Sequence, residues 1–210
     1  MLEITTKNIF NTNAKCLVNP INTQGVMGAG LALDFRIKYP NMYVEYRKLC
    51  QMQQIKIGFT HLYQDTHIQI LNFPTKIYWA QQSQMEWIDQ GLEHFIQNYQ
   101  RWNIQSIAFP MLGSGLGGLD SKKVEQLMTK KLADLQNIEI FICKDLEPAQ
   151  GTELEMLDLL FDMEPKLKNT IHRFRDLQKI KGKVEYECLF LKVYQKTKEY
   201  QARVGYTQSE

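Results

Sequence analysis

The chain has 210 residues, of which 23% are charged and 44% hydrophobic, a balance that is typical of a globular protein and excludes a disordered or fibrous one. Its 25 Lys and Arg residues and 23 Asp and Glu residues give a net charge of +2, which is too small to indicate nucleic-acid or membrane binding by bulk electrostatics. The first residues, MLEITTKNIF, lack the pattern of a signal peptide, and no apolar run approaches the roughly 20 residues that cross a bilayer, so we expect a cytoplasmic protein.

Short apolar segments that resemble β-strands alternate with longer helical patterns up to residue 143. The predicted strands are 16–21, 67–73, 106–112 and 138–143, and the predicted helices are 30–39, 41–52, 84–101 and 122–135. Near-continuous apolar strands that are separated by helices indicate a largely parallel sheet with both faces covered. The predicted fold class is therefore α/β.

The pattern breaks around residues 147–151, where turn-forming residues mark the end of a predicted domain at 1–147. The extension from 151 to 210 is predicted to be a small α+β unit. It has a helical pattern at 153–163, a second one that begins at Pro165, and two strand-like segments at 184–194 and 199–207 that are expected to pair as a hairpin. The basic residues of this extension are interpreted as a solvated face in preference to a binding surface, and they are Arg173, Arg175, Lys179, Lys181 and Lys183.

The four cysteines give no sign of a metal site or a disulfide framework. They are widely separated, and they form neither a CxxC pair nor a cluster with His at metal-ligand spacing: Cys16, Cys50, Cys143 and Cys188. We expect free thiols, and no metal or cofactor is predicted.

Two glycine-rich segments each follow a predicted strand and precede a predicted helix. The first runs from Asn22 to Gly30 (NTQGVMGAG) and the second from Gly113 to Leu119 (GSGLGGL). Glycines at such junctions let backbone N–H groups approach phosphate oxygens, and the N-terminus of the following helix adds a favourable dipole. Either segment alone is equally well explained by the needs of a tight turn, and neither has the spacing of a Walker A loop. Together they predict a site for a diphosphate.

The segments Cys16 to Pro40 and Ala108 to Asp120 resemble the two phosphate-binding loops of macrodomains. Between them, the segment from Asn72 to Lys76 (NFPTK) resembles a motif of the DarG-type antitoxin branch of that family. The resemblance implies a three-layer α/β/α sandwich with a mixed, largely parallel sheet, and it implies that ADP-ribose binds across the carboxyl ends of the strands.

Lys76 is the residue to which the resemblance assigns the chemistry, because DarG-type macrodomains and the related terminal ADP-ribose protein glycohydrolase use a lysine and no metal. Since Lys76 follows an apolar strand, we expect it at the carboxyl end of that strand, where partial burial would lower the pKa of its amine. The lysine would then attack the anomeric carbon of the distal ribose or place its charge beside it, and both roles stay open.

Further site residues are implied by the same resemblance. Asn22 matches the asparagine that contacts the distal ribose, and Asn8 lies where many macrodomains carry an acid for the adenine amino group. The other expected ligand-binding residues are Ile9, Gly25, Val26, Met27, Gly28, Gly30, Leu31, Thr75, Leu112, Gly113, Ser114, Gly115, Leu116, Gly117 and Gly118.

Three neighbouring positions bear on the substrate. Gly117 lies where protein-directed relatives carry an acid and DarG-type sequences carry glycine, which favours a DNA substrate. Asp120 is predicted to cap the following helix in preference to acting as an acid. Tyr78 and Trp79 are expected either to stack on a nucleobase or to pack in the core.

The expected function is therefore removal of ADP-ribose from modified thymidine in single-stranded DNA, by a monomer whose partner is ADP-ribose or the ADP-ribosylated strand. The same pocket would also suit cleavage of ADP-ribose from acidic protein side chains, or a reader that binds ADP-ribose without turnover. A cognate ADP-ribosyltransferase toxin is a further possible partner, held through the 151–210 extension.

Overall fold

The computed structural model describes residues 1–66, 68–146, 152–172 and 176–203. The chain divides into two compact units, residues 1–146 and 147–210. None of the helices in the described ranges is both long and apolar enough to cross a membrane.

A six-stranded sheet forms the centre of the first unit. Its strands are β1 (Leu2–Thr5), β2 (Cys16–Asn22), β3 (His61–Gln64), β4 (Gln69–Lys76), β5 (Ser106–Pro110) and β6 (Glu139–Cys143). Across the sheet the order is β1-β6-β5-β2-β4-β3, and every neighbouring pair is parallel except β3 and β4, which are antiparallel. The predicted mixed and largely parallel sheet is thus confirmed.

Four helices cover the two faces of this sheet: α1 (Gly30–Lys38), α2 (Pro40–Gln51), α3 (Met85–Asn98) and α4 (Ser121–Leu132). Successive side chains of a strand point to opposite faces. Accordingly, Val18 of β2 packs in one core with residues of α3 and α4, whereas Leu17 packs in the other with residues of α1 and α2. The result is the three-layer α/β/α sandwich that the resemblance to macrodomains implied.

The second unit is helical in its described part, so the predicted hairpin was wrong. Its elements are α5 (Thr152–Met163), a 3-10 turn (Pro165–Leu167), α6 (Leu177–Ile180) and α7 (Lys183–Arg203). The first predicted strand, 184–194, lies within α7, as does 199–203 of the second, whose remainder is outside the described residues. Tyr186, Phe190 and Val193 are buried, and their spacing of four and then three residues places them on one helical face. In the sequence, apolar residues also alternate along this segment, so it matched a strand pattern as well as the helical one.

The helix predicted to begin at Pro165 is also shorter than expected. A single 3-10 turn forms there, and a helix resumes at Leu177. Lys181 pairs with Glu164 at 3.1 Å and with Glu185 at 2.9 Å. Arg173 and Arg175 lie outside the described residues.

Candidate functional site

The two residues to which the sequence assigns chemistry end neighbouring parallel strands, at the carboxyl edge of the sheet. Asn22 is the last residue of β2, and Lys76 is the last residue of β4. Ile21 pairs with Pro74, but Asn22 pairs with Lys76, so Thr75 is an extra residue that forms a bulge in the ladder. The bulge places Asn22 and Lys76 opposite one another.

The first glycine-rich segment is folded around the side chain of Asn22, which is 7% exposed. Its Nδ2 donates to the carbonyl oxygen of Val26 at 2.6 Å, and its Oδ1 accepts from the backbone N–H groups of Gln24 (3.0 Å) and Val26 (3.3 Å). The buried hydroxyl of Tyr46 in α2 donates to Asn22, with its oxygen 2.7 Å from the Asn22 carbonyl oxygen and 3.1 Å from Asn22 Oδ1. Asn22 therefore fixes the loop, and its contact with the distal ribose stays a prediction.

Gly25 adopts a φ of +80°, a left-handed conformation that strongly favours glycine. A Cβ atom at this position would also lie 3.4 Å from Cβ of Cys50 and 3.6 Å from Cα of Arg47. The first loop thus rests directly on α2, which explains the glycine on structural grounds.

The second glycine-rich segment forms a compact loop after β5. The N–H and Oγ of Ser114 donate to the carbonyl oxygen of Met111, at 3.3 and 2.9 Å, and the N–H of Leu119 donates to the carbonyl oxygen of Gly113 at 3.0 Å. Asp120 accepts from the N–H of Lys123 at 2.9 Å, which confirms it as the N-cap of α4.

Gly117 has no room for a side chain in this loop. A Cβ atom there would overlap both the carbonyl oxygen of Gly113 and Oγ of Ser83. The acid that protein-directed relatives carry at this position therefore does not fit the loop as it is folded here.

Ser83, to which the sequence analysis assigned no role, contacts the second glycine-rich loop. Its N–H donates to the carbonyl oxygen of Gly117 at 2.9 Å, its side chain is 6% exposed, and its Oγ has no hydrogen-bond partner among the described residues. Ser83 lies in the polar run from Gln81 to Gln84, and its position between a strand and a helix was the one available signal.

Lys76 links the end of β4 to the second loop. Its Nζ donates to the backbone carbonyl oxygen of Leu116 and, at 3.4 Å, to that of Trp79. Partial burial lowers the pKa of the Lys76 amine, as the sequence predicted, and no acidic side chain in the described ranges forms an ion pair with it. Its ammonium group is thus held by carbonyl oxygens alone.

Leu116 brings the two loops into contact. A Cβ atom on Gly30, where φ is +58°, would lie 3.2 Å from Cδ1 of Leu116. The Leu116 side chain is 70% exposed and covers the start of α1. Ala29, the N-cap of α1, forms no side-chain hydrogen bond to the helix, so the first N–H groups of α1 are not capped from that side chain.

Several predicted ligand-binding residues have buried side chains. Ile9, Met27 and Leu112 are each no more than 2% exposed, and Thr75 is also buried. Their contact with a ligand stays a prediction.

Both polar atoms of the Asn8 side chain form hydrogen bonds within the protein. Its Oδ1 accepts from the N–H of Phe10 at 2.9 Å, which caps the 3-10 turn Ile9–Asn11, and its Nδ2 donates to Oδ1 of Asp145 at 2.9 Å. The sequence analysis missed Asp145, which places a carboxylate beside the position where many macrodomains carry an acid. No motif marks Asp145, because its position depends on how β6 ends next to the segment after β1.

No cluster of three or more His, Cys, Asp or Glu residues that could hold a metal ion occurs in the described ranges. Cys16 and Cys143 are buried in the sheet, and burial raises the pKa of the Cys143 thiol to about 12, which disfavours a reactive thiolate.

Fold and site together define an α/β sandwich with two glycine-rich loops at the carboxyl edge of its sheet, and the family model described as Macro domain matches residues 18–128. The chain belongs to the macrodomain family. The resemblance stated from the three motifs is thereby confirmed.

Curated relatives and solved structures agree with this assignment. A DNA ADP-ribosyl glycohydrolase of Thermus aquaticus is 36% identical over 151 residues, which are 70% of this chain and 42% of that protein. The solved macrodomain of Mycobacterium tuberculosis DarG is 35% identical with a TM-score of 0.66, over 68% of this chain and 97% of that one. The structure of Thermosipho africanus DarTG in complex with ADP-ribose is 33% identical with a TM-score of 0.65, over 71% of this chain and 43% of that one. The chain thus spans well under half the length of the curated relatives it matches.

Proposed function

We propose that this chain is an ADP-ribosyl hydrolase that removes ADP-ribose from modified thymidine in single-stranded DNA. The observation that carries the proposal is the position of Lys76, at the end of β4, opposite Asn22 and hydrogen-bonded to the tip of the second glycine-rich loop. The name of the Thermus relative and the ADP-ribose bound to the Thermosipho protein support it.

The diphosphate of ADP-ribose would lie between the two glycine-rich loops. The N-cap of α1 is Ala29, which has no polar side chain, and the dipole at a helix N-terminus favours an anion. The two loops meet where Leu116 contacts Gly30, so a ligand that bridges them would pass directly beside Lys76.

Lys76 would act at the bond between the distal ribose and the base. Hydrolysis breaks this bond, adds the oxygen of water to the anomeric carbon and returns a proton to the base. Because burial lowers the pKa of Lys76, its neutral amine is more accessible than that of a solvated lysine. In one role this amine attacks the anomeric carbon and displaces the base, which takes up a proton; water then adds to the anomeric carbon, breaks the lysine–carbon bond and regenerates the amine. In the other role, the ammonium form stabilises negative charge that develops on the departing base. Neither role requires a metal.

A DNA substrate is favoured over acidic protein side chains by the environment of Gly117. This position has no space for a carboxylate, which is the group that protein-directed relatives place there. Cleavage from protein side chains is the alternative within the same pocket, and binding without turnover is the alternative outside enzyme chemistry.

The decisive experiment measures release of ADP-ribose from a single-stranded oligonucleotide that carries it on thymidine. The natural protein is compared with Lys76→Ala, and Lys15→Ala serves as a matched control because Lys15 is exposed and precedes β2, at the opposite edge of the sheet. We expect release by the natural protein and the control, and none by Lys76→Ala, which should still bind ADP-ribose.

Other results would redirect the proposal. Absence of release by the natural protein would rule out the DNA substrate, and equal release by Lys76→Ala would rule out the lysine. Tight binding of ADP-ribose without release from any substrate would identify a reader.

We also propose that the C-terminal extension holds a toxin partner. Truncation after Gln150 tests this: the shortened protein should lose binding to the toxin but still bind ADP-ribose.

A further inference from the structure

Two large aromatic side chains are exposed immediately after Lys76. Tyr78 is 57% exposed and Trp79 is 64% exposed, although aromatic residues of this size usually bury most of their surface. Neither ring packs on another aromatic ring in the part of the chain that the structure describes. The prediction that they pack in the core is therefore wrong, and their exposure indicates an interaction surface.

The backbone beneath these rings is tied to the candidate site. The N–H of Trp79 donates to Oε1 of Gln24 in the first loop at 3.4 Å, and its carbonyl oxygen accepts from Nζ of Lys76. Tyr78 and Gln81 close a turn, in which the N–H of Tyr78 donates to Oε1 of Gln81 and the N–H of Gln81 donates to the carbonyl oxygen of Tyr78. The turn that carries both rings is thus held next to Lys76, and its hydrogen bonds to Gln24 and within Tyr78–Gln81 do not involve the lysine side chain.

The exposed surface around Tyr78 and Trp79 has a composition that suits nucleobases. Residues 77–84 (IYWAQQSQ) carry no charged side chain, so the surface offers aromatic faces and amides without a cation for phosphate groups. Nucleobases are planar rings with hydrogen-bonding edges, and they stack on Tyr and Trp with little dependence on sequence. A single strand, whose bases are not already paired, presents such faces.

We propose that Tyr78 and Trp79 form a stacking platform for the bases that flank the modified thymidine. This inference rests on the proposed function, because the strand reaches the platform only when its ADP-ribose occupies the neighbouring site. The platform makes the protein prefer an ADP-ribosylated strand to free ADP-ribose, and it supplies affinity for the strand that a net charge of +2 does not.

The test measures this preference in the Lys76→Ala background, where the strand is not consumed. The affinities for a thymidine-ADP-ribosylated single-stranded oligonucleotide and for free ADP-ribose are compared by titration calorimetry. We expect Trp79→Leu or Tyr78→Leu to reduce the preference for the oligonucleotide by about 5- to 150-fold, since each removes the stacking of one base. Trp79→Phe keeps an aromatic face and should retain most of the preference.

Phe59→Leu is the matched control, because Phe59 is 59% exposed and contacts His94 on another part of the surface. It should leave the preference unchanged. A preference that survives in Trp79→Leu and Tyr78→Leu, or that is absent from the Lys76→Ala protein itself, overturns the platform even if the hydrolase assignment is correct. Conversely, a preference that these variants abolish, together with no release of ADP-ribose by the natural protein with Lys76 intact, supports the platform and refutes the hydrolase.

Discussion

Asn22 lies opposite Lys76 in the parallel ladder between β2 and β4, because Thr75 is an extra residue in the second strand. Without that bulge Thr75 would face Asn22, and the side chain of Lys76 would point to the other face of the sheet. The geometry of the candidate site thus depends on one irregularity of the backbone.

Replacement of Asn22 by Ala should weaken both the fold and ligand binding. The change removes the partners of two partly buried N–H groups and one carbonyl oxygen in the first loop, so we expect a loss of about 1 to 3 kcal/mol in the free energy of unfolding. Denaturant unfolding measures the first effect, and calorimetric titration with ADP-ribose measures the second.

The comparison variant for Asn22 is Tyr46→Phe, which removes only the hydroxyl beneath it. Tyr46 lies under the loop, so any loss of ADP-ribose affinity in this variant would come from a loosened loop. Full stability in Asn22→Ala would contradict the structural role that we assign to Asn22.

Replacement of Gly117 by Ala should destabilise the second loop. The new Cβ atom would overlap the Gly113 carbonyl oxygen, and such overpacking costs about 1 to 3 kcal/mol. Gly115→Ala is the control for stability alone, since a Cβ atom at Gly115 has nothing within 4 Å. Thermal unfolding of the two variants should therefore differ, and equal melting temperatures would show that the loop relaxes around the added methyl group without cost.

The pH dependence of release distinguishes the two roles of Lys76. Burial lowers the pKa of Lys76 in the folded protein, so in the interval between this lowered pKa and the ordinary value the unfolded chain binds more protons. The contribution of Lys76 to stability therefore rises with pH across that interval. If the neutral amine is the nucleophile, the rate of release also rises with pH; if the ammonium charge acts, the rate falls.

Lys76→Arg provides an independent test of the same question. Arginine keeps its charge at every pH used, so it can replace an ammonium group electrostatically but not as a nucleophile. Substantial release by Lys76→Arg, with a flat pH profile, would exclude the nucleophilic role. Complete loss of release, together with retained ADP-ribose binding, would support it.

Asn8→Asp, which restores the acid that many macrodomains carry, should destabilise this chain. The new carboxylate would face Asp145, whose Oδ1 now accepts from the Asn8 amide at 2.9 Å. Repulsion between the two carboxylates should lower the free energy of unfolding at neutral pH by about 1 kcal/mol, and protonation at acidic pH should restore it. The double variant Asn8→Asp, Asp145→Asn should recover stability, and a double variant no more stable than Asn8→Asp would contradict the pairing.

The centre of the fold follows from the sequence, because buried strands and the helices that cover them have strong apolar patterns. The edge strands β1 and β3 were missed, since their four-residue segments are partly exposed and carry little hydrophobic signal. In α7 the apolar residues satisfied both a strand pattern and a helix pattern. Only their packing against other elements of the second unit decides between the two.

The parts of the candidate site that lie in sequence motifs were predictable. The parts that depend on contacts between distant segments were not. Lys76, Asn22 and both glycine-rich loops were named from their sequence positions. The bulge at Thr75, the approach of Ser83 to Gly117 and the pairing of Asn8 with Asp145 each join distant segments. No local pattern records such contacts.

The hydrogen bond from Lys76 to the Leu116 carbonyl oxygen has a thermodynamic consequence for ligand entry. A substrate that engages the lysine exchanges one hydrogen bond for another, so this contact adds little net enthalpy to binding. In return, the ammonium group is already oriented before the substrate arrives, and little side-chain entropy is lost at that step. Lys76 is thus better suited to increase the rate of a reaction than to increase the affinity for the ligand.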